Sequence, residues 1–213
     1  MSPVRVVIVD DHMMLRRGIA QILGESPAIA VAGEAAGGPG LMRLLRDAPV
    51  DVVLLDIALG DRDGFDVLKQ VRTEFPRVAV LMLSTYPESQ FGVRALKSGA
   101  AGYLNKGCSP AQLYEAIQRV ARGGLFVTPE LAERLAFGVR SDTPASPLDS
   151  LSNREMQVLK LLANGHSVGD IARELSLSAN TISTYRARLF DKLGIRNPVE
   201  LVSFAARNQL VAL

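Results

Sequence analysis

Five short apolar runs recur through the first half of the chain, at Arg5 to Val9, Ile29 to Gly33, Val52 to Asp56, Val78 to Leu83 and Gly102 to Leu104. Each is followed by a stretch of helix-compatible pattern. The runs are continuous rather than alternating, which is what strands covered on both faces require, and strands that take turns with helices lie parallel. This pattern predicts a doubly wound α/β domain around a five-stranded parallel sheet.

Local signals place the boundaries. In "CSPAQLYEAIQRVARGG", Ser109 caps a helix, Pro110 occupies its first turn, Gln112 completes a capping box and two glycines end it. "LFVTPELAERLAFG" predicts one extra short helix capped by Thr128, with Pro129 first. "VRSDTPASPLDS" has the composition of a linker. Order resumes at "LSNREMQVLKLLANG", where Ser152 and Glu155 form a second capping box and Leu151 and Met156 a hydrophobic staple. The expected domains are 1–122, a linker with a short helix at 123–147, and a small all-α domain at 148–213.

Composition narrows the class. No apolar run approaches the ~20 residues of a membrane span, and the first residues lack a signal-type segment, so a soluble cytoplasmic protein is expected, with no membrane partner. One cysteine, Cys108, excludes an internal disulfide and a cysteine-rich zinc site; His12 and His166 are far apart in sequence and suggest no ligand pair. From Leu151 onward eight Lys/Arg stand against five acids, a mild excess that permits a nucleic-acid partner without requiring one.

The first run drives straight into Asp10 and Asp11. Two adjacent carboxylates at contact repel by ~1–4 kcal/mol, so the pair implies a cation. Ligands of an open parallel sheet bind beyond the carboxyl ends of its strands. Those ends carry Asp10 and Asp11, then Asp56, then Ser84 and Thr85, then Lys106. Three carboxylates, a hydroxyl and an ammonium suit Mg²⁺ with a phosphoryl group. Asp56, ending a central strand, is the expected nucleophile toward phosphorus, with Asp10 and Asp11 on the metal, Ser84 bonding a phosphoryl oxygen and Lys106 offsetting charge. Two rival sites fail on spacing. "DRDGFD" has Arg72 where a calcium loop needs Glu, and "GGPG" lacks the Lys-Ser/Thr of a phosphate-binding loop.

With "VDDH", "LLDIALGDRDGFDVL", "LMLST" and "GYLNKG" in these places, residues 1 to about 122 resemble the receiver domain of two-component response regulators, a flavodoxin-like fold. The resemblance implies phosphorylation on Asp56, a metal held by Asp10, Asp11, Asp56 and the backbone carbonyl of Ala58, and Ser84 and Tyr103 as switch residues. It also implies a histidine kinase as partner. One departure is Gly60, where the family usually has proline; glycine loosens that loop.

"VGDIARELSLSANTISTYRARLFDKLG" predicts a helix over Val168 to Leu175, a turn from Ser176, and a longer helix capped by Ser178 and ended by Gly194. On that second helix Ile182, Leu189 and Leu193 share one face, flanked by Tyr185 and Phe190. Ser183, Thr184, Ala187, Arg188 and Asp191 share the other, a face suited to a DNA major groove. Residues 148 to 212 resemble the LuxR-type helix-turn-helix of the NarL/FixJ family, with landmarks Leu151, Arg154, Glu155, Val158, Leu159, Ile171, Ala172, Thr181, Ile182 and "KLG". By resemblance Ser183, Thr184 and Ala187 reach bases and Arg186 and Arg188 phosphates, with Thr181 and Lys192 completing the DNA-contacting set. Arg186 lies near the packed face of the wheel, from which its side chain can also reach an acid. The resemblance further implies a homodimer on double-stranded DNA, paired through the last helix, Pro198 to Asn208, and no small-molecule inducer.

The expected protein is a phosphorylation-dependent transcriptional regulator, in which charge on Asp56 draws Ser84 inward and Tyr103 after it. The alternative is a constitutive DNA binder whose receiver serves only protein contacts. A phosphatase ranks last and no enzyme is expected, because Ala58 stands where a second acid would be needed.

Overall fold

The structure is a computed structural model that describes residues 2–59, 63–140, 147–175, 177–208 and 210. The chain divides into two compact units, residues 1–142 and 143–213. The loop at Gly60, the turn residue Ser176 and the linker core at 141–146 lie outside the described residues.

In the first unit β1 (Val4–Val9), β2 (Ile29–Ala35), β3 (Val52–Asp56), β4 (Ala79–Ser84) and β5 (Gly102–Asn105) form one parallel sheet in the order β2-β1-β3-β4-β5. Between them run α1 (Met13–Gly24), α2 (Gly38–Asp47), α3 (Gly64–Glu74) and α4 (Glu88–Lys97), with α5 (Pro110–Ala121) after β5. Val6 to Val9, Val52 to Leu55 and Val80 to Met82 are all wholly buried, as continuous apolarity requires when helices cover both faces. Val6, Ile8, Leu54 and Leu81 pack with Ile19 and Leu23 of α1 and Leu113 and Ile117 of α5; the alternate positions turn to the opposite face.

β2 runs two residues beyond its expected end. Glu34 is tolerated there because β2 is an edge strand, and its carboxylate meets the Arg16 guanidinium of α1 at 3.2 Å. The extra helix α6 (Pro129–Arg140) begins as expected: the Thr128 hydroxyl accepts from the backbone N–H of Leu131 at 3.2 Å. It packs on α4, where Leu131 is buried and the Thr128 hydroxyl donates to the Glu88 carboxylate. A Cβ at Gly92 of α4 would meet the Leu131 methyls at 3.0 and 3.1 Å, so glycine permits this close approach.

In the second unit a short 3₁₀ turn (Pro147–Ser150) leads into α7 (Asn153–Ala163), α8 (Val168–Glu174), α9 (Ala179–Leu193) and α10 (Pro198–Arg207). Capping boxes start α7 at Ser152 with Glu155 and α8 at Ser167 with Asp170. Gly194 ends α9 in the left-handed region at φ 65°, the conformation a helix stop of this kind needs. Leu151, Val158, Leu159, Ile171, Ile182, Leu189, Leu201 and Ala205 form the core. Beside it Glu155 is 2% exposed, and its Oε2 accepts from the backbone N–H of Ser152 and from Lys192 Nζ, both at 2.7 Å.

Two positions should be intolerant. A Cβ on Gly64 would lie 2.2 Å from the Asp56 carbonyl oxygen and 2.9 Å from Ile57 Cα. Gly64→Ala should therefore shift the backbone after β3 and lower stability by about 1–3 kcal/mol in urea unfolding. Burial pushes the Glu155 carboxyl upward, but the Lys192 and Ser152 bonds outweigh burial and hold it below the ordinary range. A carboxyl lowered in the folded state stabilises above its unfolded value and loses that contribution as pH falls through the folded one. Glu155→Gln should cost the second unit about 1–2 kcal/mol at neutral pH, and the gap to the parent should close on acidification below the ordinary glutamate range.

Candidate functional site

Parallel register brings the strand ends level. β1 and β3 are neighbours although β2 intervenes in sequence, so Asp10 and Asp11 face Asp56 where the strand order reverses. Ser84 pairs with Asn105, and the N–H of Lys106 donates to the Ser84 carbonyl at 2.7 Å, which swings the lysine over the sheet edge. Asp10, Asp56 and Ser84 are all at least 98% buried. Lys106 Nζ stands 2.7 Å from Asp10 Oδ2 and 2.9 Å from Asp56 Oδ2. Both oxygens are shielded from solvent, and the ammonium is shared between them.

The electrostatics follow. Burial pushes the Asp56 carboxyl up; Lys106 and the backbone N–H of Ala58 pull it down, Asp10 repels it, and the balance is upward. Burial disfavours the Lys106 ammonium, but Asp56 and Asp10 together hold it above its ordinary range. One ammonium thus serves two buried carboxylates, with Asp11 a third, partly exposed neighbour. Ala58 lies two residues past Asp56, in an isolated antiparallel bridge with Asp63. These residues fit a hard divalent cation: carboxylate oxygens outnumber the one ammonium beside them, and one ligand atom from each of Asp10, Asp11, His12 and Asp56 lies within 4.8 Å of all the others.

His12 was missed from sequence, where it lacked a partner at ligand spacing. Its Nδ1 lies 2.8 Å from Asp11 Oδ1 and 3.3 Å from Asp10 Oδ1. The one available signal was its place directly after the acidic pair. Tyr103, expected to move inward, already stands inward: it is 1% exposed, burial raises its phenol, and its hydroxyl donates to the Tyr86 carbonyl at 2.7 Å. The Ser84 hydroxyl accepts from the Tyr86 N–H at 3.1 Å.

On α9, Thr184, Arg186, Ala187 and Arg188 are exposed and Ser183 is half-buried. The Thr184 hydroxyl donates back to the Asn180 carbonyl, and that of Thr181 pairs with Ser178 at the cap. Arg186 lines a groove with His166, Phe190 and Pro198, and no acid pairs with it among the described residues. Lys192, also in the expected DNA-contacting set, has its ammonium on Glu155 and on the Ser150 carbonyl.

The response regulator receiver domain model matches residues 6–118, and that of bacterial regulatory proteins of the luxR family matches residues 149–205. The chain is 36% identical to the response regulator GacA of Pseudomonas aeruginosa over 209 residues, 98% of each chain. It is 34% identical to the response regulator UvrY of Escherichia coli over 208 residues, 97% of this chain and 95% of that one. Among solved structures, the two-component response regulator RcsB–DNA complex matches with a TM-score of 0.57 and 26% identity, covering 96% of this chain and 98% of that one. No helix among the described residues is long and apolar enough to cross a membrane. Both models match in one order along one chain, and whole-length relatives share it: the chain belongs to the two-component response regulators, transcription regulators that carry a receiver domain and a luxR-family DNA-binding domain.

Proposed function

We propose that Asp56 is the phosphoacceptor and that its phosphorylation controls DNA binding by the second unit. The observation that carries this is the convergence of Asp10, Asp56 and Lys106 at the strand-order reversal, where one ammonium is shared by two buried carboxylates. An Asp56 oxygen attacks phosphorus in a histidine-kinase phosphoimidazole or a small phosphodonor. The new P–O bond forms as the donor's P–N or P–O bond breaks, and the leaving group takes up a proton. Lys106 offsets the transferred charge and Ser84 donates to a phosphoryl oxygen. Asp10, Asp11, Asp56 and the Ala58 carbonyl are the proposed holders of Mg²⁺, which when bound supplies charge neutralisation for the phosphoryl oxygens. We place the receiver at 1–122 and the DNA-binding domain at 148–213. The protein acts in the cytoplasm, where its DNA and kinase partners would meet it.

On α9 we assign base contacts to Ser183, Thr184 and Ala187, and phosphate contacts to Arg186 and Arg188, whose side chains are exposed. Thr181 serves the cap as well as the DNA face. Lys192 is a positioning residue, holding the N-terminus of α7 against the end of α9. RcsB dimers have been seen on DNA, and a homodimer of this chain pairing through α10 fits its exposed Val199 and Val202.

Three measurements test this reading. With a small phosphodonor and Mg²⁺, intact-mass analysis should show one phosphoryl group on the native chain and none on Asp56→Asn; equal DNA binding by both, selected from a random pool, would favour the constitutive alternative. In chelator, Asp56→Asn should be more stable than the native chain by about 1–3 kcal/mol, because one buried, incompletely compensated charge is gone. Arg188→Ala should flatten the dependence of log K on log salt by about 0.9, the value of one phosphate contact, whereas Lys192→Met should lower stability and leave that slope nearly unchanged.

A further inference from the structure

The sequence following the acidic pair supplies a donor that a site for Mg²⁺ alone does not need. His12 caps α1 without using its side chain for the cap, so its imidazole is committed to nothing in the helix. It turns instead toward the carboxylates, with Nδ1 2.8 Å from Asp11 Oδ1 and 3.3 Å from Asp10 Oδ1. Adjacent vertices of an octahedron with bonds of about 2.1 Å are about 3.0 Å apart. The two separations bracket that spacing. The remaining vertices have buried candidates, because Asp10 Oδ2 and Asp56 Oδ2 are shielded from solvent and share one ammonium, that of Lys106, between two carboxylates. All four residues offer an atom inside one 4.8 Å cluster.

Donor chemistry then decides which ion gains. An all-oxygen set suits Mg²⁺, which keeps its waters and gains little from nitrogen. An imidazole nitrogen raises affinity for borderline divalent ions, in rising order from Mn²⁺ through Co²⁺ toward Zn²⁺. We propose that His12 Nδ1 is a direct ligand in the receiver pocket and makes it a site selective for borderline transition-metal ions over Mg²⁺. This rests on the reading that the acidic pocket holds a divalent cation at all. It assigns to His12 a role in choosing the ion, separate from the phosphoacceptor role of Asp56.

The test uses the full chain with MnCl₂ and MgCl₂ as probes, in native form and as His12→Asn, which keeps a good helix cap. Electron spin echo modulation of bound Mn²⁺ should show coupling to a directly bonded nitrogen in the native chain and none in the variant. Calorimetry should show Mn²⁺ affinity falling roughly tenfold in His12→Asn with Mg²⁺ affinity within about twofold. Far-ultraviolet circular dichroism and the urea midpoint check that the variant folds; His12→Gln, which also lacks the imidazole, is the second variant if it does not. Bound Mn²⁺ without nitrogen coupling in the native chain would sink the role of His12 and leave the acidic site intact. Failure of both ions to bind would overturn the cation reading and this inference together.

Discussion

The first unit is organised around an imbalance of charge: a single ammonium, Lys106, stands between the buried carboxylates Asp10 and Asp56, with Asp11 close by. Two carboxylates near 4 Å apart repel by about 4 kcal/mol at an effective dielectric of 20. Chain connectivity forces them together. β1 and β3 become neighbours only because the sheet winds outward in both directions from that seam, so their ends meet where no crossover helix covers them. What holds them is Lys106 together with backbone donors: the His12 N–H reaches Asp10 Oδ1 at 2.8 Å, and the Ala58 N–H favours the charged form of Asp56. These donors leave lone pairs over. A sheet edge built this way has a standing demand for positive charge, which is the physical basis for assigning it a cation.

The second unit solves a different problem with the same chemistry. Its helices are short, and little apolar area is available to fix their crossing angles. Glu155 does part of that work. Its buried carboxylate closes the capping box of α7 and binds Lys192 on the last turn of α9, while Lys192 also holds the Ser150 carbonyl. The N-terminus of one helix is thereby tied to the C-terminus of another, each end carrying the charge that suits its dipole. Ser183, Thr184, Ala187 and Arg188 are then presented on a helix whose azimuth is fixed from within.

What was legible in the sequence was what depends on period and near neighbours. Continuous apolar runs gave five parallel strands, and Ser109, Ser152 and Ser178 marked three helix starts where side chains accept from backbone N–H groups. The strand-end residues Asp10, Asp56, Ser84 and Lys106 were legible because parallel topology makes all carboxyl ends one surface. The capping box of Ser167 with Asp170 carried its signal openly but uses Asp where Glu or Gln is the usual partner. Other features needed coordinates. The side-chain direction of His12 depends on the backbone at the end of β1, and the contact of Lys192 with Glu155 joins residues 37 apart. The docking of α6 on α4 rests on a missing Cβ at Gly92, which no periodicity announces.

That docking connects to the pocket through one short segment. The Ser84 hydroxyl accepts from the Tyr86 N–H, and the Tyr86 carbonyl accepts from Tyr103 and from the Asn105 side-chain amide at 3.1 Å. The Tyr86 ring tilts against Phe91 at 5.4 Å, and two residues on, Glu88 takes the Thr128 hydroxyl at the start of α6. Residues 84–88 are thus held by β5 on one side and by α6 on the other. A displacement at Ser84 can be absorbed inside those few residues only by breaking one of these bonds. Packed contacts resist partial sliding, and the Gly92–Leu131 approach has little room to give. The edge of the sheet at Ser84 is thus tied to α6, the last described element of the first unit, through named hydrogen bonds rather than through the apolar core.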